Sequence, residues 1–412
     1  MTKHNRNYVF CGWLLTAALT LLFISLAAFA EESVCVKCHR GVTPGIVSQF
    51  LAGKMGQAGM DCSDCHGGAH SKGSADSNLA QMPTPDTCSM CHQERYDQFA
   101  NGKHALAWVA MEAMPMWAHQ PAAVTGTGLK GCSGCHKIGL KLGVTKPEEF
   151  RYGTGSCDSC HTRHTFSVKE ARDPRACMTC HMGFDHPQWE MWSSSKHGAI
   201  WQMEGDTGRA PTCQTCHMPE GDHAVMTSWG FLAVRLPEDD EDWLNDRVTI
   251  LQALGVLDWE GNPTARLDVV KAGKVARLTK EEFDAPRAKM LKVCSQCHSP
   301  SYAEENLAAG DGLIRDADKL MAEAIREVRG LYEGGILTRP EGWDTAPDLL
   351  QFYDTMYPIE QVLWVMFLEH RMRTFQGAFH MNPDYTHWYG WAEMKRDLAE
   401  IKAEAAAMRA GQ

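Results

Sequence analysis

The chain has 412 residues, of which 44% are hydrophobic and 22% charged, and its formal net charge is -11. This hydrophobic fraction excludes a disordered or collagen-like chain, and the acidic balance argues against a nucleic-acid binder, which needs a basic surface. Length alone allows two or three domains. The 17 cysteines are the most informative part of the composition.

The first 30 residues are predicted to be a secretory signal peptide. A positively charged start is followed by an apolar run over residues 10–26 and by Ala28-Phe29-Ala30, a small-x-small cleavage site. An uncleaved anchor is the alternative, although the apolar run is short for a membrane span. Cys11 lies inside this segment, so cleavage leaves 16 of the 17 cysteines in an exported, periplasmic protein.

The remaining cysteines form eight C-x-x-C pairs, each followed directly by histidine. In chain order, motifs one to eight are Cys35-Cys38-His39, Cys62-Cys65-His66, Cys88-Cys91-His92, Cys132-Cys135-His136, Cys157-Cys160-His161, Cys177-Cys180-His181, Cys213-Cys216-His217 and Cys294-Cys297-His298. In this motif two thiols bond to the vinyl groups of one heme, and the histidine binds the iron. A disulfide scaffold, zinc sites and a thioredoxin-like pair are the alternatives. Histidine after all eight pairs by chance has a probability on the order of 10⁻¹¹. The sequence therefore predicts eight covalently attached hemes c.

Further histidines outside the motifs supply candidates for the second axial ligand of each iron. An electron carrier with eight bis-histidine hemes needs eight of them and a protein with one open iron needs seven, so the number present permits a catalytic heme without proving one. Methionine is another axial ligand, and the chain has 22. His370 and His387 stay open between ligand and other roles. The predicted distal ligands are His70, His104, His119, His164, His186, His197 and His380.

Seven motifs lie within residues 35–217, where Gly, Pro and Ser are frequent and no strand-like alternation persists. We expect short helices and loops wrapped around porphyrin in this part of the chain. Residues 31–230 are predicted to form a heme-rich domain with hemes one to seven. Residues 231–412 are predicted to form a helical domain that carries heme eight.

The C-terminal part shows the apolar spacing of helices. An acidic run over residues 238–242 suits the start of a helix that continues over 243–257. Pro358 either opens a new helix or kinks one. Longer helices are predicted over residues 302–334, 347–377 and 390–410.

The last of these helices carries an apolar stripe. The stripe packs on the protein's own core or forms a subunit interface, and the sequence does not separate the two. Its members are Leu398, Ile401, Ala405 and Met408. The predicted fold class is mainly α, with almost no β structure.

Two segments outside the motifs carry groups suited to catalysis. Asp222 and His223 follow motif seven, and an adjacent carboxylate and imidazole near a heme deliver protons to a bound substrate. In the alternative, His223 is a distal ligand and Asp222 orients it. The second segment, residues 377–390, places Tyr385 and Tyr389 beside a turn-like Asn-Pro-Asp. A packed aromatic corner is the alternative there.

The order of the motifs resembles that of the octaheme hydroxylamine oxidoreductase family. The shared features are eight C-x-x-C-H motifs, a short gap between motifs five and six, a long gap before motif eight, and a helical C-terminal region. The segments at residues 213–223 and 382–385 resemble that family as well. The resemblance extends over nearly all of the chain that follows the predicted signal peptide.

This resemblance implies that the hemes have two different roles. The fourth heme, at Cys132, Cys135 and His136, would have an open distal face and be catalytic, and Asp222 and His223 would line its pocket. The other seven hemes would be bis-histidine electron carriers.

The resemblance also implies a trimer. In oxidative members of the family a tyrosine from a neighbouring subunit cross-links to the catalytic heme, whereas reductive members lack the cross-link. Tyr385 is the candidate for that position, and Tyr389, Tyr353 and Tyr357 are weaker ones.

The predicted function is therefore an exported octaheme oxidoreductase that acts on small nitrogen compounds. A cross-linked Tyr385 favours hydroxylamine oxidation, and its absence favours reduction of nitrite or hydroxylamine. The electron partner is a redox protein or a quinone-linked protein. No motif is C-x-x-C-K, which argues against the pentaheme nitrite reductases and the octaheme nitrite and tetrathionate reductases. A non-catalytic multiheme electron carrier is the main alternative, and a heme-based sensor ranks last.

Overall fold

The computed structural model describes residues 32–411 except 116, 118–119, 122–130, 142–155, 184–185, 228, 230–234, 273–278 and 352–353. The predicted signal peptide, His119 and Tyr353 lie outside the described residues. Within them the chain contains helices and a single isolated antiparallel bridge, between Leu257 and Pro263, but no strand. The predicted mainly α fold is confirmed. None of the helices described is both long and apolar enough to cross a bilayer.

The chain divides into two compact units. The first comprises the described residues up to Ala80 with Arg163–Thr165, and the second comprises the described residues from Gln81 to Thr162 and those from Phe166 onwards. The predicted boundary at residue 230 was based on the positions of the heme-attachment motifs, which is a different criterion. That boundary stays a prediction.

Short helices build the first unit around motifs one and two. A Cβ atom at Gly53 would lie 2.6 Å from the Thr165 carbonyl oxygen, so glycine allows the 163–165 segment to pack against the helices. The helices are Val34–Val42, Pro44–Ala52, Lys54–Gln57, Cys62–His66 and the 3₁₀ helix Gly73–Leu79.

The second unit begins with short helices, as expected for a region that carries most of the motifs. The α-helices are Pro85–Ala100, Ala107–Glu112, Ser133–His136, Val168–Arg172, Arg175–Met178, Gln188–Ser193, Lys196–Glu204 and Cys213–His217. The 3₁₀ turns are His104–Leu106, Cys157–Ser159 and Pro219–Gly221.

Longer helices follow and pack around one apolar core. The 34-residue helix Pro300–Glu333 runs through this core and buries Ile314, Met321 and Ile325 completely. The other α-helices are Glu241–Ala253, Ala265–Ala272, Lys280–Cys294, Pro358–Val365, Met372–Phe379, Pro383–Thr386 and Ala392–Ala410, and π-helical turns span Met366–Arg371 and His387–Trp391.

The helix predicted over residues 347–377 is wrong in its first third. Residues 347–357 are not helical where they are described, and the helix begins at Pro358. Proline has no amide hydrogen and a fixed φ, which suits the first position of a helix. The loop before it is held by tertiary contacts, since the amide of Leu349 donates to the Ala253 carbonyl at 2.9 Å.

The other predicted helices are present in the structure, although the one predicted over residues 243–257 ends at Ala253. The acidic run supplies Asp240, whose side chain caps the helix Glu241–Ala253. The apolar stripe of the last helix packs on the chain's own core: Ile401 and Ala405 are fully buried there.

Candidate functional site

Local capping starts the turn of helix that carries the two thiols in motifs two and seven. Asp61 accepts the amide hydrogen of Ser63 at 2.9 Å and starts the turn Cys62–His66, and Thr212 caps Cys213–His217 in the same way. Cysteines three residues apart then share one face of the turn, as attachment to a single heme requires.

The structure pairs motif histidines with histidines that belong to no motif. Each pair is described by the distance between its ring centroids. In the first unit the pairs are His39 with His70 at 6.2 Å and His66 with His164 at 6.3 Å. In the second unit they are His181 with His104 at 6.1 Å, His161 with His223 at 6.3 Å, His298 with His197 at 6.1 Å and His217 with His380 at 6.2 Å.

These distances fit two imidazoles on opposite sides of one iron. An imidazole nitrogen binds a metal at about 2.0–2.1 Å and the ring centre lies about 1.1 Å behind it, so a metal between two rings separates their centroids by about 6.2–6.4 Å. Ordinary stacking of aromatic rings covers a wider range, about 4.5–7 Å. The narrow spread over pairs from unrelated segments therefore matches bis-histidine heme sites.

Hydrogen bonds fix which nitrogen of each ring is available to a metal. Backbone carbonyls only accept, so a ring nitrogen bonded to one must carry its hydrogen, and this leaves Nε2 with a free lone pair. The Nδ1 atoms of His217, His223 and His380 donate in this way to the carbonyls of residues 226, 221 and 376 at 2.8, 2.8 and 2.7 Å. The rings are therefore held in the tautomer that ligates through Nε2.

In two of the pairs, His181 with His104 and His217 with His380, burial favours the neutral imidazole, which is the form that binds metal. Burial, and then the neighbouring His217, lowers the pKa of His380 to about 4. Burial likewise lowers the pKa of His181 to about 4, with His104 adding to the effect. Removing two imidazoles from water favours their uncharged forms until a metal takes the place of the proton.

A carboxylate supports one of the pairs in the first unit. The Nδ1 atom of His70 donates to Asp76 at 2.8 Å, and Asp76 also accepts the amide hydrogens of Ser71 and Lys72 at 2.9 Å or less. These backbone hydrogen bonds and that from His70 outweigh desolvation and lower the pKa of Asp76. Its negative charge makes the His70 imidazole a stronger electron donor to a metal.

Motif four sits against a well-packed turn. The Nδ1 atom of His136 lies 3.1 Å from the Ala107 carbonyl, and a Cβ atom at Gly139 would lie 2.2 Å from the Trp108 amide nitrogen. The Lys141 ammonium lies 5.4 Å from the centre of the Trp108 ring, and burial lowers its pKa to about 8. These contacts hold the His136 side chain against the turn that carries Ala107 and Trp108.

The predicted catalytic pair at Asp222 and His223 faces motif five. The His223 ring is nearly parallel to that of His161, at 14°, and its amide donates to the Gln98 side chain at 3.1 Å. Asp222 accepts the Ala224 amide hydrogen at 2.9 Å and so shapes the loop. This geometry favours the alternative in which His223 is a distal ligand, and the proton-delivery role stays a prediction.

The other predicted catalytic residue, Tyr385, packs against Tyr389 with ring centroids 4.9 Å apart. Its amide donates to Asn382, whose own amide group donates to the Met191 carbonyl at 2.7 Å. Burial, and then the charge of Glu190, raises the pKa of Tyr385. The turn is thus a packed aromatic corner as well as a candidate site.

Three histidines whose iron the sequence did not assign have distinct surroundings. His186 lies 6.4 Å from His181, and His104 lies 6.1 Å from it. Both His186 and His104 are therefore candidates for the second ligand of the iron at motif six. His370 is buried and donates to Asp397 at 2.5 Å, and His387 packs on Trp388.

Contacts between thiols of different motifs connect the attachment sites of the second unit. Cysteine side chains of different motifs lie beside one another: Cys88 of motif three beside Cys157 of motif five, Cys135 of motif four beside Cys180 of motif six, and Cys177 of motif six beside Cys213 of motif seven. Electrostatic contacts of Cys160 with Cys177 and of Cys216 with Cys294 join five to six and seven to eight. Motifs three to eight therefore form one connected series, with motif six at its branch point. In the first unit, Cys35 and Cys62 join motifs one and two.

The helical fold and the eight attachment motifs define a multiheme c-type cytochrome. A family model described as "Seven times multi-haem cytochrome CxxCH" matches residues 58–250 and 257–343. The chain belongs to this family, which implies covalently bound c-type hemes.

Known relatives extend the comparison. A "Probable nitrite reductase-hydroxylamine oxidoreductase fusion protein" of Kuenenia stuttgartiensis is 26% identical over 472 aligned residues, covering 91% of this chain and 51% of that protein. The chain thus spans about half the length of this relative. The structure of a reducing HAO-like protein complex of the same organism has a TM-score of 0.68 and 26% identity, over 91% of this chain and 85% of that one.

A second solved structure, a hypothetical multiheme protein, has a TM-score of 0.65 and 22% identity over 95% of this chain and 98% of its own, and it supports the fold alone. The predicted resemblance to the hydroxylamine oxidoreductase family is confirmed.

Proposed function

We propose that the protein is an exported octaheme c-type cytochrome that reduces nitrite or hydroxylamine at an open-faced fourth heme. The observation that carries the proposal is the set of motif and non-motif histidine pairs with ring centroids 6.1–6.3 Å apart. This many six-coordinate sites in one chain supports electron storage and transfer. The names of the relatives support a small nitrogen compound as the substrate.

In this proposal the chain's histidines have two roles. The paired histidines, such as His217 with His380, hold iron from both sides, and His136 holds the fourth iron from one side. Bound heme supplies electron transfer, and at an open coordination site it supplies the redox chemistry of the substrate. The protein sets ligation, burial and proton supply around it.

The connected series of motifs supports exchange of electrons with an outside partner. Motif four contacts motif six through Cys135 and Cys180, and the series continues to motif eight through Cys216 and Cys294. We propose a redox protein or a quinone-linked protein as the partner. A homotrimer and a periplasmic location remain parts of the proposal, supported by the family resemblance and by the predicted signal peptide.

The reductive direction is favoured over oxidation by the description of the solved relative as a reducing protein. Reduction needs protons as well as electrons, and Asp222 remains the candidate carboxylate for that role.

An activity assay on heme-loaded protein tests the proposal. Mass spectrometry first establishes that eight hemes are attached. We then expect nitrite or hydroxylamine to be consumed, with ammonia formed, when a low-potential electron donor is supplied. A fully loaded protein that accepts electrons but consumes neither compound would support the non-catalytic carrier instead.

A further inference from the structure

Four arginines gather around two aspartates inside the C-terminal helical region. We refer to these arginines, Arg235, Arg247, Arg287 and Arg371, as the arginine cluster. The helices Glu241–Ala253, Lys280–Cys294 and Pro300–Glu333 bring most of these side chains together. Arg247 and Arg371 have no solvent exposure at all.

Asp318 is the deepest carboxylate and is shared by two of the arginines. It is fully buried and accepts hydrogen bonds from Arg247, from the Arg371 Nε at 2.8 Å and from the Trp243 indole at 2.7 Å. One negative charge thus faces two buried guanidinium groups. Burial lowers the pKa of Arg247 to about 10, although Asp318 opposes this.

Asp311 is the second carboxylate, and it does not restore the balance. It accepts from the Trp229 indole at 3.0 Å and pairs with Arg287 at 2.5 Å. Arg235 pairs with Asp239 at 3.8 Å, and the Asp239 side chain is 79% exposed. Exposed pairs of this kind contribute little. The four guanidinium groups therefore face Asp318, which is fully buried, and Asp311, whose side chain is 27% exposed.

Three of the arginines retain buried nitrogens that make no hydrogen bond to any residue that the structure describes. These nitrogens are Nε of Arg235, Nη2 of Arg247 and Nη1 of Arg287. Buried, unsatisfied cationic donors are costly, so a structure that keeps them has an anion to place there.

The same three arginines converge on two aromatic rings. Arg235 and Arg247 lie over Trp243 at 5.7 and 5.2 Å from its ring centre. Arg235 and Arg287 lie over Phe283 at 4.8 and 5.2 Å. The donors therefore border one place rather than three separate ones.

We propose that the arginine cluster binds a propionate carboxylate of the heme attached at Cys294 and Cys297. This rests on the proposed attachment of a heme at motif eight. Arg287 lies seven residues before Cys294 on the same helix, so the two side chains share one face about two turns apart. The planar guanidinium fork matches a carboxylate with two parallel hydrogen bonds.

The electrostatics of Cys294 agree with this placement. Burial raises the pKa of the Cys294 thiol, and the positive charge of Arg287 acts in the opposite direction. A small free oxyanion such as nitrite has the same binding chemistry as a propionate. The experiment must therefore separate a ligand that is part of the heme from one that exchanges with solution.

The test compares the reduction potentials of the individual hemes in variants of the holoprotein. These potentials are measured by redox titrations that are monitored by optical and EPR spectroscopy. Arg287→Gln removes one positive charge, and Arg287→Lys keeps it. Arg326→Gln is the matched control, because Arg326 is half exposed and pairs with Asp246 on the surface. In Arg287→Gln we expect the reduction potential of one heme to fall by about 59 mV. At a fixed applied potential, this lowers its ratio of reduced to oxidised forms about tenfold.

The other hemes should keep their potentials in Arg287→Gln, Arg287→Lys should restore most of the shift, and Arg326→Gln should show none. The shift should not depend on added nitrite or chloride. A potential in the wild-type protein that saturates with added nitrite, and loses this response in Arg287→Gln, would replace the propionate with a free anion. Equal potentials in Arg287→Gln and Arg326→Gln would overturn the inference.

If Arg287→Gln does not fold, Arg235→Gln removes a less buried member of the cluster and is judged by the same criteria. Heme counting by mass spectrometry and the nitrite assay are separate measurements. A failure of the propionate site is therefore distinguishable from a failure of the proposed function.

Discussion

The imidazole rings of His161 and His223 lie 6.3 Å apart and almost parallel. His161 belongs to motif five, whereas His223 follows motif seven, so the pair joins two regions of the heme-rich chain. The loop that carries His223 is anchored from outside, since Arg95 donates to the Gly221 carbonyl at 3.2 Å and Gln98 accepts the His223 amide hydrogen. The ring is therefore positioned by packing before any metal is bound.

Replacement of His223 separates its two possible roles. If His223 is the distal ligand of heme five, His223→Ala leaves that iron five-coordinate, and one additional high-spin ferric heme appears in the EPR spectrum. Asp222→Asn is the matched variant, and it should leave the spin states unchanged. Unaltered spin states in His223→Ala, together with lost activity, would instead return His223 to the proton-delivery role.

The backbone packing behind this loop gives a second prediction. A Cβ atom at Gly102 would lie 2.6 Å from the Ala224 carbonyl oxygen, so Gly102→Ala must push the loop outwards. We expect a loss of about 1–3 kcal/mol in the free energy of unfolding and a weakened low-spin signal of one heme. Gly41→Ala is the control, because no atom lies within 4 Å of its added Cβ. Equal stability and equal spectra for both variants would contradict the packing account.

Asp76 gives a prediction about heme one. Its negative charge on the His70 imidazole stabilises the oxidised iron, so Asp76→Asn should raise the potential of that heme. The same change weakens acceptance of the Ser71 and Lys72 amide hydrogens and should also lower stability. A potentiometric titration checks the first effect. A lowered or unchanged potential in a correctly folded variant would show that Asp76 does not act on the ligand.

A buried hydrogen bond outside the heme region gives a pH-dependent prediction. The Tyr332 hydroxyl donates to Glu360 at 2.6 Å, and burial raises the pKa of Glu360 while this hydrogen bond lowers it. Tyr332→Phe therefore raises the folded-state pKa of Glu360 further. A carboxyl group whose pKa is raised in the folded state stabilises the fold at low pH, and this contribution is lost as the pH rises. The free energy of unfolding of the variant should therefore fall by about 1–3 kcal/mol at pH 7 and by less near pH 4.

Thermal or chemical unfolding at both pH values measures this difference. Tyr96→Phe is the control, because the Tyr96 hydroxyl bonds to Asp86 at the surface and should matter by less than about 0.5 kcal/mol. A loss in Tyr332→Phe that is the same at both pH values would show that Glu360 does not titrate in this range.

Local sequence patterns predicted the attachment sites but not the partners of the irons. The two cysteines and the histidine of each motif lie within five consecutive residues, so a local sequence pattern is enough to predict the attachment sites. The partner of His66 is His164, and that of His217 is His380, and these pairs form only when distant segments fold together. A spacing rule carries no information about such contacts.

Tertiary contacts also explain why the helix predicted to begin at residue 347 begins only at Pro358. The segment after residue 347 is apolar enough to look helical, but Asp348 pairs with Arg266 at 2.7 Å, and Leu349 is buried in a turn. These contacts outweigh helix propensity. The role of His223 stayed open for a related reason, because adjacent Asp and His residues serve equally well as proton donors and as an oriented ligand.

Tyr385 decides the proposed direction of the reaction. Because a solved relative is described as a reducing protein, we expect Tyr385 to carry no bond to heme. Peptide mass spectrometry of the purified holoprotein should therefore find the Tyr385 peptide unmodified. A heme-linked Tyr385 peptide would contradict this and favour hydroxylamine oxidation.

The spin states of the hemes test the central proposal most directly. The EPR spectrum of the ferric holoprotein, quantified against its heme content, should show one high-spin heme and seven low-spin hemes. The low-spin signals correspond to bis-histidine sites such as His217 with His380, and the high-spin signal to the open fourth heme. A spectrum in which all eight hemes are low-spin would contradict an open site and leave a non-catalytic electron carrier.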